Sequence, residues 1–279
     1  MSDTNTEKYN QESILAREKG LEVVETIRIG RHSKPDSDFL KTYARQIEQV
    51  IKDTRPTLIA IESKENSGIY IEWPAEEYLV LLETAREVAK RLRVKITNGG
   101  LEDDALIIYY LAYLGTRDPL KYQEILGMLD RNKQKFATAA EFEPARTRIV
   151  DRVKELLLVY KKVKIDYINV HWNESSRNLL KECISFIRKH VDLDVVSTEF
   201  VKPYAEKLSK EITNEIHSLD LKCVIFYFAL EGLQGESIVN EQGSLSKLAK
   251  QLERFVLWHY NKVPRITSKY STKKNGNKE

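Results

Sequence analysis

Short apolar runs of strand length alternate along this chain with longer segments of helical period. The runs are Val23–Ile29, Leu58–Glu62, Val94–Thr97, Ile165–His171, Asp194–Glu199 and Cys223–Phe228. Between them lie helix signals: about Glu12–Lys19 (stopped by Gly20), a face of Phe39, Leu40, Tyr43, Ile47 and Val50, a stretch from Pro74 to about Leu92, and about Ser176–Lys189. A further helix follows Pro203, and a last one covers about Ser244–Tyr260. Residues 101 to 162 read as helices only. This alternation predicts βαβ units and a parallel sheet, hence an α/β fold.

The strand ends carry the chemistry. One strand stops at Glu199, one at His171-Trp172, one at Glu62-Ser63-Lys64, and one at Asn98-Gly99-Gly100. In a parallel (β/α) barrel the C-terminal ends of the strands face the active site, so polar residues there converge.

Composition narrows the partners. The 279 residues are 42% hydrophobic, enough for one large or two small domains. No apolar run reaches the roughly 18 residues that a membrane span needs. The polar start Met1–Lys8 has no apolar stretch behind it, which predicts a cytoplasmic protein unless a leader has been lost. Charge is nearly balanced, 45 basic against 42 acidic residues for a net +3, and much of the surplus sits in residues 268–279, read as a disordered basic tail. Arg131, Lys133, Lys135, Arg146, Arg148 and Arg152 read as a solvated helix face rather than a nucleic-acid stripe. Cys183 and Cys223 make neither a disulfide framework nor a zinc site and read as free buried thiols. His32, His171, His190, His217 and His259 lack metal-ligand spacing. There is no phosphate-cradling glycine loop and no nucleophile elbow. The expectation is therefore no cofactor, no metal, no membrane and no nucleic acid.

Four segments resemble a known superfamily. They are Ile61–Tyr78 (IESKENSGIYIEWPAEEY), Ile165–Trp172 (IDYINVHW), Val195–Phe200 (VVSTEF), and Phe226–Phe228 with Asn240–Leu245. In order and spacing these resemble the fourth, sixth, seventh and eighth strand regions of retaining glycoside hydrolases whose catalytic glutamates end barrel strands four and seven. The resemblance covers about residues 12 to 262. It implies a TIM-barrel-like fold over residues 1–267, with a helical insertion at about 101–162. It also makes the first strand here the family's third, so the first two βα units are missing. An open parallel edge exposes unpaired backbone groups. The chain is therefore expected to form a homodimer across the gap or to fill it with helix.

The resemblance implies roles residue by residue. Glu199 stands at the nucleophile position. Lys64 stands where the acid/base glutamate belongs, with Ser63 in place of its asparagine neighbour and Asn66 on the trailing asparagine. A lysine with a reference pKa of about 10.4 does not cycle as acid and base near neutrality. Beside Glu199 it would form an ion pair that quenches the nucleophile. Glu62 and Glu65 flank Lys64 and are the candidate substitutes. His171 and Trp172 match the sixth-strand pair that orients the nucleophile and shapes a sugar subsite, with Asn173 where an aromatic is usual. Tyr70, Trp73, Tyr227 and Phe228 are either sugar-stacking platforms or core. Asn98 is either a hydroxyl donor or a turn residue, and Arg31 and His32 are cleft or plain loop residues. Two functions follow. One is a glycoside hydrolase-like pseudoenzyme that binds a carbohydrate, with hydrolysis impaired at Lys64. The other is a non-catalytic scaffold or interaction module that keeps the barrel fold.

Overall fold

A computed structural model of the chain describes residues 13–14, 17–18, 22–28, 35–62, 74–172, 177–200, 219, 221–222 and 224–226. The chain divides into two units, residues 1–203 with 216–227 and residues 204–215 with 228–279. The second unit lies outside the described residues, as do the helices expected after Pro203 and at 244–260, the tail at 268–279, and Cys223.

Seven strands form one sheet among the described residues: β1 (Val24–Arg28), β2 (Leu58–Glu62), β3 (Lys95–Asn98), β4 (Leu101–Glu102), β5 (Tyr167–Trp172), β6 (Asp194–Phe200) and β7 (Val224–Phe226). The spatial order is β1-β2-β3-β5-β6-β7, with β4 pairing β5. Every pairing is parallel. An order that follows the chain without reversing is singly wound, as in (β/α) barrels, and gives the connecting helices one face to cover. The fold is α/β and TIM-barrel-like, incomplete among the described residues.

The helices with both ends among the described residues are α1 (Ser37–Thr54), α2 (Ala75–Leu92), α3 (Asp103–Gly115), α4 (Pro119–Met128), α5 (Arg131–Thr138), α6 (Glu143–Val163) and α7 (Arg177–Val191). Several starts have ordinary chemical causes. Asp36 caps α1 by accepting from the amides of Asp38 (3.1 Å) and Phe39 (2.8 Å). Asp118 and Asp130 cap α4 and α5 in the same way, and Pro119 opens α4. The crossover from β4 to β5 contains α3 to α6 instead of a single helix. Helix α3 is buried almost all round, from Ala105 to Leu111, because α4, α6 and α7 pack against it. One expectation is corrected here. Residues 101–162 are not helical throughout, because Leu101–Glu102 is strand, paired as Leu101 with Val170 and Glu102 with His171.

Register divides the sheet's side chains between two faces. One face carries Ile27 and Ile61, Ile59 and Ile96, and Ile168 and Val195 as neighbouring pairs. Ile59, Ile61, Ile96, Ile168 and Val195 are fully buried, and this apolar face receives the apolar stripes of the helices. The Tyr78 hydroxyl of α2 donates to the Ile61 carbonyl oxygen at 2.8 Å and ties α2 to β2. The opposite face is mixed: Thr26, Ala60 and Thr97 form one row that continues to Tyr167, Leu58 lies below it, Asn169 pairs with Val196, and His171 stands further along β5. That is the inner face of the partial barrel.

One core group is badly matched. The Tyr43 hydroxyl of α1 is buried and finds no hydrogen-bond partner among the described residues, and burial pushes its ionisation far up. Tyr43→Phe removes an unpaid desolvation and is expected to stabilise the fold by about 0.5–1 kcal/mol, read from urea unfolding at constant m.

Candidate active site

The inner-face strand ends meet over Gly99 and Gly100, where β3 stops and β4 begins. Gly100 has φ +139°, a region that L side chains rarely adopt. A Cβ there would overlap the His171 ring, and a Cβ on Gly99 would overlap the Glu62 backbone and lie 2.8 Å from its Cβ. The two glycines thus let β2 and β5 present Glu62 and His171 against one stretch of backbone. Any larger residue would fill that floor.

Two asparagines hold the break in register. The Asn98 carboxamide lies along β5: Nδ2 donates to the Asn169 carbonyl oxygen (3.0 Å) and Oδ1 accepts from the Asn169 amide (2.7 Å). It supplies the ladder bonds that the interrupted strand cannot make. Asn169 does the same work toward the other side. Its Nδ2 donates to the Gly99 carbonyl oxygen (2.7 Å) and to Thr198 Oγ1 (2.6 Å), and its Oδ1 accepts from the Thr198 amide (2.9 Å). This last bond sits where β6 bulges. Asn169 pairs with Val196 and His171 with Glu199, so β6 spends one residue more than β5 over that interval.

One assignment of protons satisfies the chain that continues from there. Asn169 Nδ2 donates to Thr198 Oγ1, leaving the Thr198 hydroxyl proton for His171 Nε2 at 3.2 Å. The other ring nitrogen, Nδ1–H, then points to Glu102 Oε1 at 3.4 Å. The imidazole is almost buried (5% exposed), whereas the Glu102 side chain is 32% exposed. The carboxylate is the accessible end of the chain and the ring stands behind it.

Of the residues singled out in the sequence, the structure brings His171 and the backbone of Glu199 together, as register partners at adjacent strand ends. Glu62 closes β2 one strand beyond the glycine break. Asn98 is not a turn residue with a free amide but a buried bridge to β5. Trp172 follows His171 on the same strand. Strand alternation puts it on the face of Ile168 and Val170, away from His171, and it is fully buried. Ser63, Lys64, Glu65, Asn66, Tyr70, Trp73, Asn173, Tyr227, Phe228, Arg31 and His32 lie outside the described residues. The sequence reading missed Glu102, Thr198 and Asn169. A Gly-Gly pair directly after a strand was the available signal, because glycine inside a strand pattern marks a close backbone approach.

No protein-family model matches the chain, and no curated protein matches it in sequence. Solved structures are similar to it in fold. A psychrophilic glycoside hydrolase family 10 endo-β-1,4-xylanase is similar at a TM-score of 0.51 and 13% identity, covering 88% of this chain and 81% of its own. A glycoside hydrolase family 128 (subgroup II) endo-β-1,3-glucanase from Sorangium cellulosum has a TM-score of 0.48 at 11% identity, with coverages of 85% and 81%. Phosphonopyruvate hydrolase has 0.43 at 14% identity, and the chain covers only 57% of its length while using 78% of this one. The likeness to the xylanase is one of fold. It places the chain among folds that glycoside hydrolases use, and no described helix is long and apolar enough to cross a membrane.

Proposed function

We propose that this chain is a glycoside hydrolase-like protein that binds a glycan or glycoside at the C-terminal edge of its parallel sheet, with hydrolysis impaired because Lys64 occupies the acid/base position. Glu199 is the nucleophile of this reading. Ser63, Asn66, His171 and Tyr227 contact the sugar. The observation that carries it is the meeting of Glu102, His171 and the backbone of Glu199 in neighbouring register at that edge, on the inner face of a barrel-like sheet where such enzymes do their chemistry. A cytoplasmic setting agrees with the free, buried Cys183, whose thiol is held protonated by burial.

Activated aryl glycosides test this reading, because a good leaving group needs little acid assistance. The wild-type chain should release the aryl group slowly from at least one member of a broad panel, and Glu199→Ala should abolish the release. Restoring the family pattern with Lys64→Glu and Ser63→Asn together should raise turnover of unactivated glycosides. No aryl release and no sugar-induced shift in melting temperature across the panel would leave the non-catalytic scaffold as the function.

A further inference from the structure

We propose that Glu102, held for that task by His171, is the substitute that still moves a proton in this site, more slowly than a glutamate at position 64 would, so that hydrolysis is impaired but not lost. The assignment rests on the glycoside reading above and answers its central difficulty, the missing acid at position 64. Glu102 and Glu199 are the register partners of His171 on its two sides, from β4 and from β6. Neighbouring strands lie about 4.8 Å apart, so the two glutamate α-carbons stand about 10 Å apart across one strand. That is a span from which a pair of glutamates can bracket a glycosidic bond. Glu102 is the solvent-reaching member of the Thr198–His171–Glu102 chain, and the imidazole N–H aimed at Oε1 fixes the carboxyl's direction. Glu62 lies against Gly99, and Asp103 follows Glu102 but is buried.

The step balances as follows. The carboxylic proton of Glu102 passes to the glycosidic oxygen as the C1–O bond breaks and a Glu199 oxygen bonds C1. Water then attacks C1, its proton returns to Glu102, and the bond from C1 to Glu199 breaks. Glu102 is catalytic in this scheme, and His171 is a positioning residue.

The test uses two glycosides of one sugar, a 2,4-dinitrophenyl glycoside that departs unaided and a phenyl glycoside that needs a proton. Glu102→Gln keeps an oxygen for the His171 N–H, and unchanged urea unfolding confirms that it folds. It should lose about 10²-fold or more on the phenyl glycoside and less than about tenfold on the dinitrophenyl glycoside. Azide should restore the second, deglycosylation step, giving a glycosyl azide. Equal losses on both substrates, or no loss on either, overturn the role of Glu102 while the glycoside reading stands. A wild-type chain with neither turnover nor a sugar-induced melting shift overturns both.

Discussion

Gly100→Ala is expected to destabilise the fold by about 2–4 kcal/mol, the sum of a strained backbone and an overfilled contact. At φ +139° an alanine is strained whatever space surrounds it. Here the space is also taken, since the new methyl would overlap the His171 ring at Nε2, Cδ2 and Cε1. The ring cannot retreat cheaply, because it is buried and bonded at both nitrogens. The variant must therefore move β4, where Glu102 sits, or give up the His171–Glu102 contact. Gly127→Ala is the matching control. Gly127 lies inside α4 with nothing within 4 Å of an added Cβ, so alanine there should gain roughly 0.5–1 kcal/mol. Urea midpoints of the two variants should move in opposite directions. A neutral Gly100→Ala would mean that the two ends of the broken strand are not pinned against β5.

The long strands were legible because each is an apolar run with a polar stop: Leu58–Glu62, Ile165–His171 and Asp194–Glu199 match the observed strands to within two residues. Helix ends were harder. Helices α1, α2, α6 and α7 are followed by Arg55, Arg93, Lys164 and Asp192 in the left-handed region, positions where glycine is the usual signal. Their ends could be placed only by the strand that starts next. Strand β4 could not be read at all. It has two residues, one of them charged, and the Glu-Asp-Asp that begins there reads equally well as the acidic first turn of a helix. The same ambiguity hid Glu102. Its value comes from pairing with His171, about seventy positions away in sequence, and no local pattern encodes that. Trp172 shows the complementary limit of sequence adjacency. It is adjacent to His171 in sequence, and in a strand adjacency means opposite faces.

The largest loss is expected at Asn169. Asn169→Asp keeps the shape but replaces a donor of two short hydrogen bonds with an oxygen, set 2.7 Å from the Gly99 carbonyl oxygen and 2.6 Å from Thr198 Oγ1. Thr198 can turn its hydroxyl proton toward the new carboxylate, but then His171 Nε2 loses its donor. Gly99 has no such freedom. A buried carboxylate facing a carbonyl should cost about 3–5 kcal/mol at neutral pH, against about 2–3 kcal/mol for Asn169→Ala, which loses the bonds without adding a charge. The two variants also separate by pH. Burial raises the folded-state pKa of the new acid above its unfolded value of about 3.9. The native variant therefore holds its proton more tightly than the unfolded chain does. Its deficit is smallest below the unfolded pKa, grows as pH rises toward the folded pKa, and is complete above it. Urea unfolding of the aspartate variant should thus recover part of the loss in acid relative to wild type, while the alanine variant should run parallel to wild type over that range. Because Asn169 also fixes the amide of Thr198, next to Glu199, the glycoside function proposed above predicts that both variants lose sugar binding under conditions where they remain folded. An aspartate variant as stable as wild type at neutral pH would mean that the β6 bulge is held by other contacts and that the register of Glu199 does not depend on this amide.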